Sequence, residues 1–259
     1  MAKLEEALRG ARAAGRPILV GYVMGGIRPD WTDLLTAIVD AGADAVEIGL
    51  PFSDPMLDGG TIQEASAVAL DAGARISDIL DRAAILQPAV PLIAMTYANH
   101  VYSRGVDTFC AMLADAGIGG TIVPDLPLDE AEQYLACAAV RHVDAILLAS
   151  PATSRERLPL ICSRSRGFIY SVSVMGTTGG AAPGEDAWSA ADRARALTDT
   201  PVLIGFGVNT PEIAAQAVGH ADGVIVASAL MRRVLDGGSV GEISRAVGAM
   251  RSALDQVAA

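Results

Sequence analysis

Short apolar runs alternate with amphipathic segments along the whole chain. Several of these runs lack the polar alternation of a half-exposed strand, which is typical of strands covered on both faces in a parallel sheet. We therefore predict eight β-strands: PILVGYV (17–23), DAVEIGL (44–50), PLIAMTY (91–97), GGTIVPDLP (119–127), DAILLAS (144–150), GFIYSVS (167–173), PVLIGFG (201–207) and DGVIVAS (222–228).

The segments between the runs have helical periodicity, as in WTDLLTAIVDAGA (31–43), VDTFCAMLADAG (106–117) and PEIAAQAVGHA (211–221). Thr210, Pro211 and Glu212 supply a cap, a first-turn proline and a first-turn acid in the order that begins a helix. Glycines fall where three helices are expected to end, at Gly42, Gly73 and Gly117.

Eight strand–helix units within about 250 residues are the number that a TIM barrel requires. We therefore predict the α/β class and a single (β/α)8 TIM-barrel domain over residues 1–259. An extra helix is expected at the N-terminus, where MAKLEEALRGARAAGR (1–16) mixes charge with Leu and Ala and lacks the apolar segment of a signal peptide. An open, doubly wound sheet fits the same periodicity and remains the structural alternative.

Composition and charge reduce the number of function classes that fit the chain. Of the 259 residues 51% are hydrophobic, yet no apolar run approaches the roughly 18 residues of a membrane span. The net charge of -11 argues against nucleic acid and anionic membranes as partners, but backbone N–H groups at a helix start can still hold a small phosphate. Cys110, Cys137 and Cys162 are widely spaced, which favours reduced thiols in a cytoplasmic protein.

In a TIM barrel the chemistry lies where the carboxyl ends of the strands meet their loops. Residues at or just after the apolar runs are therefore candidates: Glu47, Asp58, Asn99, Asp125, Tyr170, Gly207 and Ser228. The only lysine is Lys3, outside any predicted strand, so a Schiff-base mechanism is excluded. The three histidines lack ligand spacing, and His142 and His220 are expected at the opposite end of the barrel, so a metal site is not predicted.

Two carboxylates remain as candidates for acid–base chemistry. Glu47 lies inside an apolar strand, where burial is expected to raise its pKa and prepare it as a proton donor near neutral pH. Asp58 lies on a loop that two glycines follow and is expected to stay ionised. The alternative is purely structural: Glu47 pairs with a buried arginine, and Asp58 caps a helix that begins near Thr61.

The run EIGLPFSDPMLDGGTIQ (47–63) resembles the signature of the tryptophan synthase alpha subunit family. The resemblance extends over essentially the whole chain through MTYANHVYSRGVDTF, PDLPLDEAE, GFIYSVSVMGTTG, IGFG and ADGVIVASAL, in the right order and spacing. It implies a TIM barrel that cleaves indole-3-glycerol phosphate to indole and glyceraldehyde 3-phosphate. It implies no cofactor in this chain, and a pyridoxal-phosphate-dependent beta subunit that receives the indole in an alpha2beta2 heterotetramer.

The resemblance also assigns roles to residues. Glu47 matches the acid–base that protonates indole C3, Asp58 matches the carboxylate that accepts the indole N–H, and Tyr170 matches a tyrosine beside them. Thr178 matches a mobile-loop threonine that helps orient the aspartate. The positions around the phosphate and glycerol are matched by Gly179, Phe206, Gly207 and Ser228. Apolar walls for indole are expected from Tyr22, Met95, Tyr97 and Phe206, although aromatic strand residues also serve as plain core.

Several positions depart from the family pattern. The first strand exits through GYVMGGIRPD (21–30), where the family has a short Ala-Gly-Asp-Pro-like turn. Gly60 replaces a usual proline and is expected to loosen its loop, Thr177 replaces a valine, and His100 replaces a proline or apolar residue. Ala227 replaces a phosphate-site glycine, and its Cβ either crowds the anion or is tolerated where φ is negative. The stretch GTTGGAAPGEDAWSA (176–190) is expected to act as a lid or to be an ordinary exposed loop.

Three alternatives to the lyase subunit stay open. One is a stand-alone lyase that releases indole without a partner. Another is a non-catalytic activator of a beta-like enzyme, against which the two carboxylates argue because buried charges are costly to keep. The last is another phosphate-sugar barrel enzyme, such as an isomerase.

Overall fold

The computed structural model describes residues 4–172 and 188–258. Its strands form a closed, all-parallel barrel in chain order, in which the last strand pairs with the first. The predicted TIM barrel is therefore confirmed, and the open-sheet alternative is wrong. The strands are β1 (Ile18–Met24), β2 (Ala45–Gly49), β3 (Leu92–Met95), β4 (Ile118–Ile122), β5 (Asp144–Ala149), β6 (Ile169–Val172), β7 (Val202–Gly205) and β8 (Gly223–Val226).

Helices surround the barrel, and the first of them precedes β1, as the extra N-terminal helix was predicted to do. Within the described residues they are α1 (Leu4–Ala13), α2 (Trp31–Asp40), α3 (Gly60–Asp71), α4 (Ile76–Leu86), α5 (Ala98–Arg104), α6 (Val106–Asp115), α7 (Glu132–Val140), α8 (Arg157–Arg164), α9 (Ser189–Arg195), α10 (Pro211–Ala217), α11 (Ser228–Leu235) and α12 (Val240–Ala258). A short 3-10 helix spans Leu128–Glu130. No helix in the described ranges is both long and apolar enough to cross a bilayer.

The helix boundaries agree with the capping residues and glycines in the sequence. Thr210 caps α10 by accepting the Ile213 N–H through Oγ1 at 3.4 Å, and Pro211 is the first helical residue. Gly42, Gly73 and Gly117 have φ values of +100°, +81° and +72°. Because only glycine adopts these values without strain, each can end its helix in this conformation.

Every predicted strand after the first runs past its observed carboxyl end, most by one or two residues and the fourth by five. The fourth ends at Ile122 rather than residue 127, because Pro124 and Pro127 lack the N–H that a strand ladder needs. The eighth ends at Val226, and Ser228 begins α11 instead of completing the strand.

Parallel register places the key side chains on the inner face of the barrel. Tyr22 on β1 lies opposite Glu47 on β2, and Gly49 follows two residues later on the same face. On the far side, Tyr170 of β6 lies opposite Leu203 of β7. Strands β1, β2 and β6 therefore all contribute side chains to one interior space.

The amino-terminal rim of the barrel is held by aspartates. Asp44 accepts the Leu19 N–H at 2.9 Å, Asp222 accepts the Val202 N–H at 2.8 Å, and Asp144 accepts the Glu5 N–H at 3.0 Å. These bonds join neighbouring strands and attach α1 to the barrel. Leu4 of α1 is fully buried at this end, where its Cδ2 occupies the space beside Gly120.

Candidate active site

A cavity opens at the carboxyl ends of the strands. It is lined by Tyr22, Glu47, Asp58, Gly59, Ile62, Met95, Tyr170, Phe206, Gly207, Val208, Ile225, Ala227 and Ser228. The structure thus brings together nine of the residues predicted for the site and its walls, contributed by strands and loops far apart in sequence. The wall is mostly apolar, with two carboxyl groups at its inner end, which suits a flat aromatic ligand carrying one polar edge.

Glu47 is 1% exposed and faces this cavity from the middle of β2. Its Oε2 accepts no hydrogen bond from any described residue. Burial, and to a smaller extent the charge of Asp58, raise the pKa of Glu47 from 4.5 to about 8. No described arginine forms an ion pair with Glu47, so the structural alternative for this residue is wrong. Near pH 7 the side chain is mainly protonated and can donate to a ligand.

Asp58 enters the cavity from the loop between β2 and α3 and is 8% exposed. Its Oδ2 accepts a hydrogen bond from the Tyr97 hydroxyl at 3.0 Å. Burial raises the pKa of Asp58 from 3.8 to about 6, and the hydrogen bond from Tyr97 opposes that rise. The carboxylate is therefore mainly ionised at pH 7. The helix behind it begins at Gly60 with Gly59 as the cap residue, without a side-chain cap, so the capping role for Asp58 is wrong.

The loop that carries Asp58 is fixed at both ends. Phe52 exchanges hydrogen bonds with Ser66 of α3, from its N–H and to its C=O, both at 2.8 Å. At the other end, the Asp58 C=O accepts from Gln63 Nε2 at 2.8 Å. Between them Met56 is 73% exposed and Leu57 is 44% exposed. The loop therefore presents an acid to the cavity and two apolar side chains to the outside.

Two tyrosines form the sides of the cavity. The hydroxyl of Tyr22 has a single described partner, the Met24 sulfur at 4.0 Å, which is a weak acceptor. Tyr170 meets the ring of Phe206 edge-on, with 6.0 Å between ring centroids. Burial raises the pKa of both tyrosines, and the nearby carboxylates raise it further. Both hydroxyls therefore remain protonated and are potential donors to a ligand.

Another part of the cavity wall comes from the segments that follow β7 and β8. Phe206 and Gly207 have φ values of +73° and +80°, which is rare for a bulky side chain such as Phe206. Ser228 is the first residue of α11 and donates from Oγ to Asn209 Oδ1 at 3.0 Å. Ala227, just before it, has φ of −116°, so the backbone there does not require glycine. Amides at the start of a helix suit an anion such as phosphate.

Other predicted residues lie elsewhere. Thr177, Thr178, Gly179 and most of the predicted lid fall outside the described residues, and α9 begins at Ser189. Asp125 does not line the cavity; its Oδ1 accepts the Ala98 N–H at 2.8 Å. Tyr97, expected as a wall for indole, is instead behind Asp58. Sequence analysis missed Ile62, Val208 and Ile225 in the cavity wall, because isolated apolar residues give no signal distinct from core.

A family model described as tryptophan synthase alpha chain matches residues 8–253. The tryptophan synthase alpha chain of Halorhodospira halophila is 42% identical and covers 98% of this chain and 97% of its own length. The corresponding protein of Salinispora tropica is also 42% identical, over 91% of this chain and 90% of its own.

Solved structures give the same result. One structure of Mycobacterium tuberculosis tryptophan synthase superposes with a TM-score of 0.89 at 38% identity, covering 97% of both chains. The tryptophan synthase alpha subunit of Legionella pneumophila has a TM-score of 0.89 at 31% identity, covering 99% of both chains.

Proposed function

The chain belongs to the tryptophan synthase alpha chain family, and from this we propose that it is a carbon–carbon lyase that cleaves indole-3-glycerol phosphate to indole and glyceraldehyde 3-phosphate. The observation that carries the proposal is the pair of carboxyl groups in one apolar cavity. Glu47 has a free Oε2 and a pKa raised to about 8, whereas Asp58 has the lower pKa of about 6. At pH 7 this pair offers one proton donor and one negative charge.

The reaction needs a place for the electrons of the bond that breaks. In our proposal neutral Glu47 donates a proton to C3 of the indole ring, which makes the ring a cation with its charge on the nitrogen. Asp58 accepts a hydrogen bond from the ring N–H and stabilises that charge. The hydroxyl on the glycerol carbon that is bonded to C3 then returns a proton to the Glu47 carboxylate. Its oxygen forms the aldehyde C=O, and the electrons of the broken C–C bond restore the indole ring.

Protons therefore balance within the cycle, and Glu47 ends protonated as it began. We propose that no Schiff base takes part, since the only lysine of the chain, Lys3, precedes α1. We also propose that no metal takes part, because the protonated indole ring itself accepts the electrons of the broken bond. No cofactor is needed for these steps. We also propose that one domain, residues 1–259, carries the activity, and that it acts in the cytoplasm, as its cysteine usage favours.

The remaining cavity residues are assigned by position. Tyr22 and Tyr170 would lie against the indole, with Tyr170 beside the reacting carbon. Phe206 and Gly207, with Ala227 and Ser228, would hold the glycerol phosphate at the start of α11. Thr178 and Gly179 are proposed to complete the phosphate end and the orientation of Asp58; both lie outside the described residues.

We further propose that the chain assembles as alpha2beta2 with a pyridoxal-phosphate-dependent beta subunit, which receives the indole. The family name and the relatives solved as tryptophan synthase support a beta partner. The exposed Met56 and Leu57, on the outer side of the Asp58 loop, are suited to such a contact. Turnover with and without an authentic beta subunit tests this: full activity of the chain alone would favour the stand-alone lyase.

The decisive test of the chemistry is the variant Glu47→Gln, which keeps the size of the side chain and removes its acid. We expect indole release to fall by about 10²–10⁴-fold, the usual range for one general acid–base. Binding of a non-cleavable indolyl alkyl phosphate should be retained. Glu64→Gln is the matched control, because Glu64 is an exposed glutamate that pairs with Arg232 on the outer surface. Undiminished turnover in Glu47→Gln would refute the assignment, and a non-catalytic activator would show no turnover even before substitution.

A further inference from the structure

We propose that Tyr97 is a positioning residue whose hydroxyl fixes the orientation and the charge of Asp58. The inference rests on the proposed function, because it concerns the carboxylate that would meet the indole N–H. It goes further in assigning a role to a side chain that does not line the cavity.

The Tyr97 hydroxyl forms two hydrogen bonds to adjacent residues. It donates to Asp58 Oδ2 at 3.0 Å and accepts the Leu57 N–H at 3.2 Å. Leu57 is 44% exposed and Asp58 is 8% exposed, so the hydroxyl lies where the loop turns from solvent into the cavity. Because Leu57 N–H directs a donor at the oxygen, the single hydroxyl proton is left for the carboxylate. One hydroxyl thereby binds both the backbone of the loop and the acid that the loop carries.

The ring of Tyr97 is itself held in place by an aromatic neighbour. Its ring stacks on Phe52 with 5.0 Å between centroids and 23° between planes, and Phe52 in turn meets the edge of His100 at 4.9 Å. His100 Nδ1 lies 2.8 Å from Thr96 Oγ1. Phe52, Tyr97 and His100 therefore form one aromatic cluster. His100, which departs from the family pattern, is thus in contact with the loop that carries Asp58.

Among the described residues, few titratable groups face Asp58. Glu47, Tyr22 and Tyr170 approach from β2, β1 and β6, and Tyr97 from the end of β3. Only Tyr97, among the described side chains, donates a hydrogen bond to the carboxylate. A bond to the ionised form stabilises it and opposes the effect of burial, which favours the neutral form. Removing the hydroxyl should therefore make Asp58 easier to protonate.

The test is a direct titration of Asp58 in the full chain without substrate. Aspartate labelled with ¹³C at the carboxyl carbon is followed by NMR against pH, and Asp58→Asn identifies the signal. In Tyr97→Phe we expect the titration of Asp58 to move up by about one pH unit, as loss of a hydrogen bond to a charged group predicts. Tyr102→Phe is the matched control: Tyr102 lies on α5, the helix that Tyr97 precedes, is 46% exposed and donates to the Glu130 C=O at 3.3 Å.

An unchanged Asp58 titration in Tyr97→Phe, or an equal shift in Tyr102→Phe, would overturn the proposal. If Tyr97→Phe does not fold, Phe52→Leu replaces it, since this change removes the stacked ring but keeps the Phe52 backbone bonds to Ser66. A smaller upward shift is then expected, and its absence counts against Tyr97. Since no substrate is used, failure of the lyase assignment would leave this measurement unaffected.

Discussion

The hydroxyl oxygen of Tyr22 lies so close to Gly49 that a Cβ on this glycine would come within 1.9 Å of it. The same relationship recurs on the other side of the barrel, where a Cβ on Gly205 would meet the Tyr170 hydroxyl at 2.2 Å. In both cases the tyrosine leans over the glycine two residues beyond its register partner, Glu47 or Leu203. The two glycines therefore provide the space that the tyrosine hydroxyls occupy in the cavity wall.

We expect Gly49→Ala to destabilise the protein by about 1–3 kcal/mol, the usual cost of overpacking a filled core. Tyr22→Phe in the same chain should recover part of this loss, because it removes the atom in closest conflict. Urea unfolding of the single and double variants measures both effects. Gly248→Ala in α12 is the control, since a Cβ there has no atom within 4 Å and should not destabilise. If the losses of unfolding free energy in the two single variants simply add in the double variant, the close contact between Tyr22 and Gly49 is contradicted.

Glu47 should make the stability of the protein depend on pH. Its pKa is raised from 4.5 to about 8 in the folded state, so between these values the folded chain binds more protons than the unfolded chain. The stabilising contribution is complete below pH 4.5 and disappears as pH rises through 8. Glutamine does not titrate, so Glu47→Gln does not lose stability in this way. The free energy of unfolding of the variant, minus that of the unsubstituted protein, should therefore increase steadily from pH 4.5 to 8. Denaturant unfolding across that range measures the difference; parallel curves would argue against a protonated Glu47.

The rate of cleavage should follow a bell-shaped pH profile. Asp58 must be ionised and Glu47 protonated, and their pKa values are raised to about 6 and about 8. We therefore expect kcat/KM to fall below about pH 6 and above about pH 8, with a maximum near neutrality. Tyr97→Phe should move the acid limb to higher pH and leave the basic limb in place. Movement of both limbs together would indicate a general disturbance of the site.

Gly60→Pro should stabilise the protein. Gly60 is the first residue of α3, where proline is favoured, and a Cβ there would meet no atom within 4 Å. Gly59 before it is extended, with φ of −77° and ψ of 162°, as a residue preceding proline must be. We expect a gain of about 0.4–1 kcal/mol through the unfolded state, measured by thermal unfolding. Gly60→Ala separates the effect of the ring from that of the added Cβ.

The barrel was predictable because strands buried on both faces leave continuous apolar runs, and the signals at Thr210 and the three helix-ending glycines are local. The prediction was wrong at residues 123–127, where Ile122 and Val123 continue an apolar run that the following prolines prevent from pairing. Glu47 was recognisable as a lone acid in an apolar strand. The bond between Tyr97 and Asp58 was not, because it joins residues 39 apart whose meeting depends on barrel closure and on the path of the loop.

The outcome at Ala227 could not be predicted from the sequence either. The residue type alone left two outcomes open, crowding or tolerance, and only the backbone angle distinguishes them. With φ at −116°, Ala227 lies outside the left-handed region that favours glycine, so the backbone does not require glycine there. The assignments at Thr178 and Gly179 stay predictions, as does the single-domain organisation.

Asp44, Asp144 and Asp222 bind backbone amides at the amino-terminal rim, at the end of the barrel away from the loops that bear the chemistry. Loop segments at the opposite end can therefore be exchanged, for instance to accept substituted indoles, without removing these hydrogen bonds. The three rim aspartates are the positions that such a redesign should leave alone.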